Sequence, residues 1–227
     1  MTLYPDRPMT PLDLHTHRTP DLPGEAVQNL RLPHHTALTD GLYSVGLHPW
    51  HLSDDWETSQ LPEVERLCTH PAVVALGECG LDKVCLKSLP PDLREAAFTR
   101  QTAAFEAHVR LSERMGKPLI IHCVKAFNEL VTLHRRHAPR QPWVVHGFRG
   151  NAHVAGTLLD EGLYLSFGER YQAEALRLTP AGRLFAETDE SRGSIGDIVA
   201  ALARDRGTGR ESLIRQLQTN YSNIFSL

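Results

Sequence analysis

The chain has 227 residues, of which 41% are hydrophobic, a length and composition that suit an α/β domain with a sizeable core. Its formal net charge of −3 at pH 7 argues against broad electrostatic wrapping of nucleic acid, although a local phosphate site stays open. No apolar run has the length of a signal-peptide core or a membrane span, and the four cysteines form no CxxC pair. We therefore expect a single domain over residues 1–227, in a reduced, cytoplasmic setting and away from membranes.

Short apolar or β-branched runs recur along the chain and end abruptly in polar residues. Their lengths fit strands buried on both faces, as in a parallel sheet. We predict strands over residues 12–17, 42–47, 72–77, 118–123, 143–146, 163–167 and 183–186.

Helical patterns lie between the later strands. A stripe of apolar residues at helical spacing begins after Pro91 and ends at Gly116. The alternation of strand and helix predicts βα units and a parallel sheet, either open or closed into a barrel. A side chain of Asp189 or Ser191 is expected to cap the helix that starts at Ile195. The later helices are predicted over residues 127–137, 151–161, 195–204 and 211–218.

Six of the seven predicted strands end in or beside a His, Glu or Asp. The carboxyl ends of parallel strands point to one face, so residues more than 100 positions apart can converge there. His15 and His17 alternate along one strand, and both imidazoles can therefore face one ion, although an HxH pair alone also suits a plain surface. Glu78 follows an apolar run, and its two carboxylate oxygens can bridge two cations.

His122 and His146 end two further strands. A lone histidine after an apolar run is more often a hydrogen-bonded core residue, but two in one sheet favour a shared site. Asp189 follows the last strand, where a helix cap or turn is the alternative role. Four imidazoles and two carboxylates on one face suit Zn, Mn, Co or Ni better than Ca.

The order of the segments HTH, GLHPW, GECGLD, PLIIHC, HGFRGN and ETD resembles the TatD family of metal-dependent deoxyribonucleases, within the amidohydrolase superfamily. The resemblance runs from about residue 12 to the C-terminus, where TNYSNIF is similar to the family's closing helix. It implies a TIM-type (β/α)8 barrel and two divalent metal ions, with Zn, Mn, Mg, Co and Ni as candidates. It implies one ion on His15, His17 and Asp189, the other on His122 and His146, and Glu78 as the bridge.

Two adjacent cations acidify a shared water and offset charge on phosphoryl oxygens. Asp189 is the expected proton acceptor, and Glu78 sets the spacing of the ions. Both are therefore candidate catalytic residues.

Three further residues are candidates for substrate binding. His48 lies in GLHPWH and is a candidate either to contact substrate or to support a metal ligand, with a turn before Pro49 as its alternative role. Lys83 and Arg149 follow ligand positions and can receive a phosphate. Their alternative is a surface ion pair, for instance with Asp82 or Glu169.

The sequence also departs from the family pattern. Only thirty residues separate His17 from His48, with three prolines and one regular element over residues 25–32, so the front of the barrel is expected to lack a helix. The proline that usually follows the ETD aspartate is missing from ETDESRG. These departures affect the substrate-binding loops and leave the ligand positions intact.

We expect a monomeric metal-dependent phosphodiesterase acting on DNA ends or small phosphodiesters. One alternative is an amidohydrolase that cleaves a small amide or ester, and another is a non-catalytic metal-stabilised binding protein. The complete ligand set argues against the last, and the lack of a bridging lysine argues against the amidohydrolase. Few aromatic residues, namely Trp50, Trp56 and Tyr171, are candidates for stacking on bases.

Overall fold

The computed structural model describes residues 13–33 and 38–225. Its strands follow one another through a single sheet in chain order, and every strand pair with a defined register is parallel. The strands are β1 (Asp13–Thr16), β2 (Ala26–Leu30), β3 (Leu42–Val45), β4 (Val73–Asp82), β5 (Leu119–Val124), β6 (Trp143–Val145), β7 (Tyr164–Phe167) and β8 (Leu184–Ala186).

Helices follow most of the strands, and none within the described ranges has the length and apolar character to cross a membrane. They are α1 (Trp56–Ser59), α2 (Leu61–Cys68), α3 (Pro91–Met115), α4 (Phe127–His137), α5 (Ala152–Asp160), α6 (Ala173–Leu178), α7 (Ile195–Arg206) and α8 (Arg210–Phe225).

The predicted strands correspond to β1 and to β3 through β8. Helix α4 has the predicted bounds, and α3 ends at Met115, just before Gly116, whose φ of +66° suits a glycine. The predicted cap of α7 is wrong, because the side chain of Ser194 accepts the hydrogen bond from the Asp197 amide. The predicted end of α8 at residue 218 is too early, since a buried stripe continues it to Phe225. Helices α1, α2 and α6 were not predicted.

The front of the chain is shortened as expected. Residues 17–25 join the parallel strands β1 and β2 without a helix. A parallel crossover usually needs a dozen or more residues and holds a helix. The regular element expected over residues 25–32 is β2, so the connecting helix is absent while the strand remains.

The chain divides into two compact units, each assembled from segments distant in sequence. The first contains the described residues of 1–28, 40–42 and 146–227, and the second those of 29–39 and 43–145. The expectation of one domain over residues 1–227 stays a prediction.

In the first unit, Asp13 links β1 to the end of β8. The buried Asp13 carboxylate accepts hydrogen bonds from the Thr188 amide (2.9 Å) and hydroxyl (2.6 Å) and from the His15 amide. Burial raises the pKa of Asp13 to about 7, although the hydrogen bonds from Thr188 act to lower it. The Asp189 amide donates to the His15 carbonyl (2.9 Å), so the HTH and ETD segments lie side by side.

Candidate metal centre

The HTH and ETD segments place two imidazoles and a carboxylate together in the first unit. The ligand atoms of His15, His17 and Asp189 all lie within 4.8 Å of one another. Oδ1 of Asp189 is 3.9 Å from Nε2 of His15 and 3.6 Å from Nε2 of His17. His15 is buried, whereas the Asp189 side chain is 26% exposed, so the group opens to solvent at the carboxylate. This donor set suits a divalent transition metal.

The backbone fixes Asp189 in this position. Its φ of +53° lies in the left-handed region, which an aspartate tolerates better than most residues. Its amide donates to the His15 carbonyl of β1, and its carbonyl accepts from the His17 amide just after β1 (3.3 Å). These two main-chain hydrogen bonds fix the position from which the Asp189 carboxylate projects.

His146 follows β6 and pairs with a glutamate that the sequence reasoning missed. Nδ1 of His146 lies 3.2 Å from Oε1 of Glu187, which also accepts a hydrogen bond from the Gly147 amide (2.7 Å). Burial opposes the ionisation of Glu187, but the neighbouring imidazoles of His146 and His15 act with the local hydrogen bonds to lower the pKa of that carboxyl. Glu187 lies two residues before Asp189, and that spacing was the available signal.

A second group lies in the second unit, where Glu78 meets two histidines. Oε1 of Glu78 is 2.8 Å from Nδ1 of His122 and 3.1 Å from Nε2 of His48. His48 was predicted to contact substrate or to support a metal ligand, and it lies among the potential ligand atoms of this group. Burial lowers the pKa of His48 despite the nearby Glu78 carboxylate, and a neutral imidazole is the form that binds metal.

Two glycines explain why β4 presents Glu78 at this point. Gly77 and Gly80 have φ values of +143° and +146°, and the register with β5 shifts between Leu76 and Cys79. A Cβ atom on either glycine would collide with the main chain of β5. The GECG segment thus lets β4 approach β5 closely and bulge around Glu78.

Asp82 at the end of β4 holds His122 from the other side. Oδ2 of Asp82 is 3.2 Å from Nε2 of His122 and accepts a 2.6 Å hydrogen bond from the indole of Trp50. Burial opposes the ionisation of Asp82, but the hydrogen bonds from His122, Trp50 and two backbone amides lower its pKa to about 2. The ionised Asp82 orients the His122 ring so that Nδ1 faces Glu78.

Lys83 and Arg149, the two basic residues predicted to bind phosphate, have different surroundings. Nζ of Lys83 is 2.5 Å from Oε1 of Glu129, so its ion-pair partner is Glu129 and not Asp82. Arg149 lines a cleft of about 540 Å³ in the first unit, together with Asp189, Arg170 and Arg192. Across residues 13–33 and 38–225, none of these three arginines has an ion-pair partner, although Glu169 and Glu190 also line the cleft.

The sequence model of TatD related DNases matches residues 27–226. The chain belongs to this family. The membership confirms the resemblance to the TatD family, and the match includes the GECGLD and ETD segments but not HTH.

Curated relatives of this TatD-family chain include 3'-5' ssDNA/RNA exonucleases. The TatD exonuclease of Edwardsiella piscicida is 35% identical over 155 residues, which is 64% of this chain and 56% of that protein. The chain thus spans little more than half the length of that relative. The TatD exonuclease of Pantoea ananatis is 30% identical over 210 residues, covering 81% of this chain and 77% of that protein.

Solved structures of the family establish the fold. The YJJV protein of Escherichia coli K12, a TatD homologue, aligns with a TM-score of 0.69 at 23% identity, over 83% of this chain and 78% of that one. This likeness confirms the predicted TIM-type (β/α)8 class.

Each of the two compact units of this TatD-family chain thus holds histidine and carboxylate groups suited to metal binding. The first unit brings together His15, His17 and Asp189, with His146 beside Glu187. The second unit brings together His48, Glu78 and His122.

Proposed function

We propose that the chain is a monomeric hydrolase that cleaves phosphodiester bonds at the ends of single-stranded nucleic acid. The observation that carries the proposal is Asp189, which belongs to the His15–His17 group and also lines a cleft with three arginines. Guanidinium groups without an ion-pair partner are suited to phosphate. The names of the exonuclease relatives support the same substrate class.

The proposed centre holds two divalent ions. The donor sets support this number, because His15, His17 and Asp189 suffice for one ion, while Glu78 and His122 belong to another donor group. His146 is the proposed further ligand of the second ion, and Glu78 the proposed bridge. Divalent ions bound here would supply an acidified water and offset the charge of phosphoryl oxygens.

Side chains of the protein are proposed to accept the proton and to bind the substrate phosphate. Asp189 is the proposed proton acceptor, because its carboxylate is part-exposed and borders the cleft. Arg149 is proposed to hold a phosphate oxygen, and Arg170 and Arg192 extend the positive lining. His48 is proposed to contribute to metal binding in the Glu78–His122 group. Lys83 remains a substrate candidate only if phosphate displaces Glu129 from its ammonium group.

The test is a comparison of substrates for the purified chain loaded in turn with Zn, Mn, Mg, Co and Ni. We expect faster cleavage of single-stranded oligonucleotides than of matched duplexes, and no cleavage with chelator. Faster hydrolysis of simple amides or esters, or no phosphodiester cleavage with any of the five metals, would favour an amidohydrolase instead. A chain with Asp189→Asn is the control for a contaminating nuclease.

A further inference from the structure

Trp50 is an exposed indole beside the Glu78 group. The residue is 58% exposed, and it is the sole aromatic among the exposed large hydrophobic residues of ranges 13–33 and 38–225. The other tryptophans, Trp56 and Trp143, are buried in the core. Tyr171, the third candidate for stacking, donates its hydroxyl to Asp205 and is half-buried. An apolar ring left in water beside a polar site is typical of a binding surface.

The indole is fixed in orientation by its edge. Its Nε1–H donates a 2.6 Å hydrogen bond to Asp82, the residue that also holds His122. The ring centroid is 4.8 Å from that of His48 and 5.7 Å from that of His122. Both imidazoles stand nearly perpendicular to the indole, at 82° and 77°, so neither lies parallel on its face. Because more than half of Trp50 is exposed to solvent, part of the indole surface remains available beside the candidate ligands.

The turn that carries Trp50 is also held in place. The Trp50 amide donates to Nδ1 of His48 (3.1 Å), and the His51 amide donates to the His48 carbonyl (3.0 Å). The buried Gln101 donates to the Pro49 carbonyl and accepts from the Asp82 amide. Because the turn is already ordered, a ligand that stacks on Trp50 loses little conformational entropy in ordering it.

We infer that Trp50 is the stacking platform for an unpaired base next to the scissile phosphate, an inference that rests on the proposed function. A flat, apolar ring of fixed orientation matches the face of a nucleobase, and stacking of this kind tolerates any base. Inside a duplex both faces of a base are covered by its neighbours, and a terminal base is still held by pairing, so the platform favours unpaired bases at frayed or single-stranded ends. The platform therefore supplies a physical cause for preference of single strands.

The closing experiment separates the ring from its hydrogen bond. Trp50→Leu removes both, whereas Trp50→Phe keeps a flat ring and loses only the donor to Asp82. We expect Trp50→Leu to raise KM for a single-stranded oligonucleotide about tenfold with kcat within twofold, and Trp50→Phe to raise it much less. Leu178→Ala, at an exposed apolar site in the other unit, should match the unchanged chain.

Two further measurements decide whether the base is the ligand. An abasic residue at the strand end should raise KM for the unchanged chain by a similar factor and add nothing to Trp50→Leu. Binding of a non-cleavable oligonucleotide should quench the fluorescence of the exposed Trp50, and an abasic oligonucleotide should quench it less. Equal losses on natural and abasic ends, or a Phe variant as weak as the Leu variant, would overturn the inference.

These experiments test the stacking platform and the proposed nuclease activity separately. Quenching by bases without cleavage under any metal would keep the platform and remove the nuclease. Cleavage of single strands with an unchanged KM in Trp50→Leu would keep the nuclease and remove the platform.

Discussion

Nδ1 of His146 lies 3.2 Å from Oε1 of Glu187, a carboxylate with no exposure to solvent. This pairing directs Nε2 of His146 away from Glu187 and fixes the tautomer that presents a lone pair there. Such carboxylate–histidine pairs orient metal ligands and raise their basicity. We therefore propose Glu187 as the residue that positions His146, and its spacing of two residues from Asp189 is the signal that the sequence offered.

The pairing gives a first prediction. Glu187→Gln preserves the shape but weakens the orientation of His146, so we expect metal affinity to fall by about 10- to 100-fold. Competition with a chromophoric chelator measures the affinity, and circular dichroism checks the fold. An unaltered affinity would show that His146 does not depend on Glu187 for its role.

A second prediction concerns the HTH segment. The double substitution of His15 and His17 by Ala removes two of three donors in the first group, so metal content should fall from two ions per chain to one. Elemental analysis after remetallation and desalting gives the count. His153→Ala, at an exposed histidine of α5, is the matched control and should still bind two. Two tightly held ions in the double variant would contradict the ligand assignment.

Sequence patterns predicted candidate ligands at the carboxyl ends of parallel strands, and the structure brings His15, His17 and Asp189 close together. The helix-ending signals around α3 and α4 depend on local rules and agree with the observed helix ends. Strand β2 was ambiguous because its sequence AVQNL mixes apolar and polar residues without a clear period.

The positioning residues could not be predicted by the same means. Asp82 was considered only as a partner for Lys83, but it bonds to His122, which lies 40 positions away in the chain. Contacts of that kind depend on the register between β4 and β5, and this register shifts at the bulge before Cys79. A one-residue shift of register changes which side chains meet, and the sequence does not specify the shift.

A third prediction concerns proton transfer. In Asp189→Asn the amide cannot accept a proton and is a poorer ligand, so we expect kcat to fall on the order of a hundredfold or more. The fold should persist, because the backbone pairing of Asp189 with His15 and His17 is retained. The rate on a single-stranded oligonucleotide and the metal content are measured together, so that loss of an ion is distinguished from loss of the base. Near-normal kcat in a folded variant would remove Asp189 from the mechanism.

A fourth prediction concerns acid stability. His108 is buried in α3, where Nε2 accepts from the Leu47 amide and Nδ1 donates to the Ala104 carbonyl. Burial lowers the pKa of His108 to about 4, so the unfolded chain binds a proton at a higher pH than the folded chain. Stability should therefore fall as the pH drops from about 6.5 to about 4, by roughly 3 kcal/mol from this group.

The measurement is urea unfolding of metal-free protein across that pH range. His108→Gln keeps a neutral side chain able to donate and accept, and it should lose less stability on acidification than the unchanged chain. His153→Gln replaces an exposed histidine and should leave the slope intact. Parallel pH curves for the His108 variant and the unchanged chain would contradict the assignment.

The last prediction concerns the arginines of the cleft beside Asp189. A phosphate held by Arg149 releases counterions when it binds, so the affinity for a strand should fall as salt rises. Arg149→Ala should raise KM and flatten the slope of log K against log salt by about 0.7, the value expected for one contact on a single strand. Arg192→Ala should act in the same direction if the strand extends along the cleft. Arg177→Ala, at an exposed arginine of α6, is the matched control. A uniform electrostatic effect would flatten the salt slope equally in the Arg149, Arg192 and Arg177 variants. A larger change in Arg149→Ala than in Arg177→Ala would therefore assign the phosphate to the cleft, and equal changes would contradict it.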